Sequence, residues 1–113
     1  MADHITISPA AGTWVVRAGG AILGESKHAL ELREGTYDPV IYFPRSDVAM
    51  ALLDRTDKIS HSPHKGEANY YSIQTKSQTL ANAAWTYENP ILSVERIKDH
   101  LAFYPGQATV ERI

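Results

Sequence analysis

Short runs of alternating residues, each cut off within a few positions by glycine, proline or asparagine, constrain this chain most. In LELRE (residues 30–34), Leu30 and Leu32 stand against Glu31 and Arg33, the alternation of a half-buried strand. TWVVR (13–17) is β-branched and aromatic, stops at the turn signal Gly19-Gly20, and is followed by a short restart at Ala21 to Leu23. VIYF (40–43) is apolar on both faces, which predicts a strand that is central or covered on both sides. NYYSIQT (69–75) and LANAAWTY (80–87) flank a turn at Lys76 to Gln78 and read as a hairpin. The alanines of the second run also suit a helix, but the hairpin pairing favours a strand. Lys58 to His61, HLAFY (100–104) and Ala108 to Arg112 complete the strand set.

Two segments read differently. Ser46 is placed as a helix N-cap and Asp47 as a first-turn partner of the helix dipole. Val48, Ala51 and Leu52 then recur at helical spacing, so a helix is expected over Asp47 to Asp54, plugging one end of a sheet. Val94 to Ile97 fits a single helical turn. The expected fold is a mainly β single small domain over 1–113. It would be a curled antiparallel sheet or partly open barrel of about eight short strands with one short helix.

The composition narrows the function classes. A formal net charge of −2, from 11 basic and 13 acidic residues, offers no field for a phosphate backbone, so no nucleic-acid partner is expected. The absence of cysteine removes disulfides, thiolate chemistry and cysteine-ligated zinc. The start MADHITISPA lacks a basic stretch followed by an apolar run, so no signal peptide is expected. No apolar stretch approaches the ~20 residues of a membrane span. A soluble cytoplasmic protein is the expectation, with no membrane partner.

HSPHKGEANYY (61–71) is the densest cluster of functional residue types. His61 and His64 are three apart, but Pro63 disfavours helix between them and no third ligand is tied in by spacing, so no metal and no cofactor are expected. Ser62, a histidine and Asp47 supply the residue types of a triad without a nucleophile elbow. Lys65-Gly66 provides a cation beside a backbone able to take positive φ, where amides can cradle an anion. The plain alternative is a well-made turn with Lys65 solvated.

Four ordered motifs carry a resemblance. YFPRSDVAMALL, HSPHKGEANYYSI, AAWTYENP and HLAFYP are similar, in order and spacing, to those of a bacterial family labelled domain of unknown function 427 and nucleotidyltransferase-like. The likeness covers roughly residues 12–113 and implies a small, mainly β domain. The motif positions here are Tyr42, Phe43, Pro44 and Asp47, then Pro63, Lys65, Gly66, Ala68 and Tyr70, then Ala84, Trp85, Tyr87 and Pro90, then Phe103 and Tyr104. Many members resemble Thr-x-Cys-Pro-x-Lys-Gly in the loop, and here Ser62 stands where the cysteine usually does. Chemistry that needs a thiolate would be lost or weakened, since a serine hydroxyl is poorly nucleophilic unless a base activates it.

The leading expectation is a pocket beside the HSPHKG loop that binds a small polar or anionic ligand. Lys65 would supply charge, His61 and His64 polar contacts beside Gly66 and Ser62, and Tyr42, Tyr70 and Trp85 would form walls. One alternative is a small transferase or hydrolase using His61 or His64 as acid or base, with Asp47 as a candidate carboxylate. The other is a protein-interaction module with no small ligand, docking through strand edges.

Overall fold

The computed structural model describes residues 4–113. Among them ten strands follow one another: β1 (Ile5–Pro9), β2 (Trp14–Ala18), β3 (Ala21–Ser26), β4 (Leu30–Glu34), β5 (Val40–Pro44), β6 (Leu53–Ser62), β7 (Gly66–Gln74), β8 (Thr79–Thr86), β9 (His100–Phe103) and β10 (Thr109–Arg112). Seven form one antiparallel sheet in the order β1-β4-β5-β9-β8-β7-β6, and β10-β2-β3 form a smaller one. The chain is mainly β in two open sheets, with ten strands where about eight were expected. The strand with no expected counterpart is β1, whose Ile5 and Ile7 alternate with Thr6 and pack beside Leu30 and Val40. Pro9 is tolerated there because β1 is an edge strand.

The larger sheet buries both of its faces. On one, Val16 and Leu23 of the small sheet pack against Phe43, Tyr71, Ile73 and Phe103. On the other, Tyr42, Ala68, Tyr70 and Ala102 pack against Tyr87, Val94 and Ile97 from the segment after β8. Successive side chains on a strand point to opposite faces. Hence Tyr70 and Tyr71 are 6% and 5% exposed, one in each core. The doubly apolar VIYF run has the same cause, with Tyr42 in one core and Phe43 in the other.

The helix expected over Asp47 to Asp54 does not form. Two separate 3-10 turns, Arg45–Asp47 and Met50–Leu52, flank Val48, whose backbone is extended and bridges Gly24. Ser46 is not a cap; Pro44 precedes the first turn without a side-chain cap, and the Asp47 carboxylate accepts the Ser26 hydroxyl at 2.6 Å. An eight-residue run is too short to hold a helix against such tertiary competitors. Leu53 and Asp54 belong instead to β6, longer than the expected Lys58 to His61 because β7 pairs with it from Leu53↔Ile73 to Ser62↔Gly66. β6 is an edge strand whose Asp54, Arg55, Asp57 and Lys58 are exposed, charges that discourage further strand pairing. No helix of the described residues is long and apolar enough to cross a membrane.

One ladder is short. β5 and β9 pair only at Phe43↔Leu101 and Pro44↔His100, so the ladder stops short of Val40 and Tyr104.

Candidate functional site

The HSPHKG sequence is the tip of the β6–β7 hairpin. The Lys65 amide donates to the Ser62 carbonyl at 3.3 Å, closing the turn, and the Ser62 hydroxyl accepts the His64 amide at 3.3 Å. Gly66 follows at φ +111°, a conformation that side chains rarely adopt. The Ile91 amide donates to the Lys65 carbonyl at 2.9 Å and ties the tip to the segment after β8. Ser62 and Gly66 therefore shape the turn, and the Lys65 side chain is aimed inward.

Lys65 lines a cavity of about 250 Å³ on the Tyr70 face of the sheet, with Tyr37, Tyr42, Tyr70, Trp85, Tyr87 and Tyr104 as aromatic walls. Its Nζ lies 2.5 Å from Oε1 of Glu34, and both side chains are largely covered, 14% and 15% exposed. His4 approaches the other carboxylate oxygen at 3.5 Å, and its ring meets His64 edge-on at 4.7 Å. Burial pushes the Glu34 pKa up, but Lys65 and His4 together outweigh it and hold the carboxyl below its ordinary value. Asp38 also lines the cavity. Two carboxylates thus stand against one ammonium.

The aromatic walls form a connected set. Trp85 on β8 is paired with Ala102 on β9, and that small residue leaves room for the indole to reach across to β5. There Trp85 Nε1 donates to the Tyr42 hydroxyl at 3.4 Å. The Trp85 and Tyr104 rings are 4.6 Å apart. Tyr70 shares a hydrogen bond with Ser60 at 2.8 Å, and Lys58 Nζ lies 4.6 Å from its ring centroid. Burial pushes Tyr87 up to about 12, and burial with a hydrogen bond to Tyr70 pushes Tyr104 up to about 12. Burial raises Tyr42 further still. These phenols stay protonated at neutral pH and remain available as hydrogen-bond donors.

Of the residues singled out in the sequence, Lys65, Tyr42, Tyr70 and Trp85 are brought together round this cavity. Ser62, Gly66, His61 and His64 stay on the hairpin tip and do not line it. Asp47 is bound to Ser26 on β3. Glu34 was missed, although parity along LELRE places it on the same face as Leu30 and Leu32. Tyr37 and Asp38, in the turn before β5, carried no sequence signal. Among the described residues no three His, Cys, Asp or Glu side chains are grouped as a metal would require.

Residues 6–113 match the family model described as a domain of unknown function (DUF427), whose name carries a nucleotidyltransferase label. The chain belongs to that family. No curated protein matches it at a significant level.

Proposed function

We propose that this DUF427 member binds a small polar, ring-bearing ligand in the tyrosine-walled cavity. The convergence of six aromatic side chains and the Lys65–Glu34 pair on one concave space carries this reading. Aromatic faces hold a flat ring, and protonated phenols with an ion pair orient its polar groups. About 250 Å³ falls just under the ~300–1,000 Å³ range of drug-sized sites, which points to a small molecule. Within the polar-or-anionic class the charges favour the polar member. Lys65 is already neutralised by Glu34, and Asp38 leaves the lining with an excess negative charge.

His61 and His64 do not line the cavity, so the reading rests on its walls and not on histidine proton transfer. The charged β6 edge likewise gives no support to docking by strand addition.

Binding is tested by isothermal titration with nucleobases, monosaccharides, sugar phosphates and small carboxylates. Trp85 emission in the Trp14→Phe background reports the location. Neutral ring compounds are expected to bind and to change Trp85 emission, with about a fivefold loss in Tyr70→Phe, as one hydrogen bond implies. Binding by none of them, or affinity indifferent to both Tyr70→Phe and Trp85→Phe, would overturn the proposal.

A further inference from the structure

A second, larger cavity of about 480 Å³ lies on the opposite side of Trp85, where the two sheets meet. Trp14, Ile41, Phe103, Pro105, Thr109 and Val110 line much of it. Its one ionisable lining residue is Glu31, paired with Arg33 at 2.9 Å. The two cavities differ in chemistry, yet Trp85 and Val40 are walls of both.

The reason is the short ladder between β5 and β9. Continuing the register of Phe43↔Leu101 would set Tyr42 against Ala102, Ile41 against Phe103 and Val40 against Tyr104, and none of these rungs forms. The residues of the missing rungs divide between the cavities. Ile41 and Phe103 face the large one, Tyr42 and Tyr104 the small one, and Val40 borders both. Alternation along the strands requires that division. The cavities therefore border each other at Val40 and Trp85, where the β5–β9 ladder ends.

We infer that the two cavities are halves of one site, built for a ligand with a polar ring and an apolar substituent. This rests on the proposed polar-ring reading and extends it. The ring occupies the tyrosine half. The substituent passes the Trp85 indole beside Val40 and lies between Trp14, Ile41 and Phe103. Apolar walls with a single, already paired carboxylate gain from an alkyl or aryl group and nothing from a second polar one.

The test uses two matched series, 1-methyl-, 1-butyl- and 1-hexyluracil and the corresponding alkyl β-glucosides, titrated below micellar concentrations. In at least one series affinity is expected to rise about fourfold per added methylene. Thr109→Trp, which fills the large cavity from an exposed position, is expected to abolish that rise. Ile41→Phe repeats the test from β5 if the first variant is unstable. A rise that survives both substitutions, or no rise in the wild type, overturns the joined site. If the methyl compounds bind in a Tyr70-dependent way with no length effect, only the joined site falls. If only the hexyl compounds bind, sensitive to Thr109→Trp and not to Tyr70→Phe, the cavities are separate and both readings fall. If nothing in either series binds, both fall as well.

Discussion

At the scale of residues, Lys65 and Glu34 are 31 positions apart and meet because the β6–β7 hairpin tip and the end of β4 converge on one cavity. Their pairing decides the site's charge. Glu34→Gln would leave the Lys65 ammonium largely covered and without its carboxylate. Breaking a fully buried pair costs about 3–5 kcal/mol, and the remaining exposure here lowers the expectation to about 1–2 kcal/mol. The folded pKa of Glu34 is depressed, so its contribution is present above the ordinary value of 4.5 and is lost as pH falls through the folded value. Melting temperatures from neutral pH into acid should therefore show wild type and Glu34→Gln converging below that point. A constant gap across the range would mean that the ion pair is not what stabilises this corner. The same variant frees Lys65, and inorganic phosphate should then raise its melting temperature while leaving the wild type unmoved.

At the scale of elements, two glycines directly follow the paired residues and make unequal demands. Gly35 has φ +54° with nothing closer than 3.8 Å to an added Cβ, so it sits in the left-handed well that an alanine enters at a modest penalty. Gly66 has φ +111°, well outside that well, with backbone of Asn89 and Ile91 at 3.4 and 3.5 Å. Gly35→Ala is expected to cost about 1 kcal/mol. Gly66→Ala should reach the upper part of the ~1–3 kcal/mol range for backbone strain. Urea titration of both variants compares them directly, and equal losses would contradict the strained-tip account. Local patterns revealed the strands well. Leu30 to Glu34 alternated because one face of β4 is buried, and Gly19-Gly20 marked the β2–β3 turn. They misled at Asp47 to Asp54, where apolar spacing looked helical but Val48 is held by Gly24 and Asp47 by Ser26, both distant in sequence. The candidate site was legible where a motif carried it, at Tyr42, Lys65, Tyr70 and Trp85. The partner of Lys65 was not, because β4 and the β6–β7 hairpin lie toward opposite edges of the sheet and the two side chains meet only in the folded chain.

At the scale of the whole molecule, the sheet with two covered faces makes tyrosine the residue most sensitive to the fold. Tyr42 and Tyr104 lie beside Trp85, Tyr87 belongs to the segment after β8 that covers the sheet, and burial raises all three above the ordinary value of 10.0. A phenol whose folded pKa is raised stabilises fully below its unfolded pKa, because both states are then protonated. As pH rises past about 10, the unfolded chain ionises first and gains, and stability falls until the folded phenols follow. For Tyr87 and Tyr104 that window closes near 12, where each is expected to ionise in the native state. Phenolate absorbance should thus lag in the folded protein for three of the six tyrosines and catch up on denaturation. The urea midpoint should decline between pH 9 and 11, and less steeply in Tyr87→Phe, which removes one delayed group. An identical decline in that variant would show that Tyr87 is not held by its surroundings. The same property serves the cavity, because a wall of phenols that resists ionisation keeps donating hydrogen bonds in alkali. Binding of a neutral ring ligand should accordingly persist to higher pH than an ordinary tyrosine would allow, until the fold itself gives way.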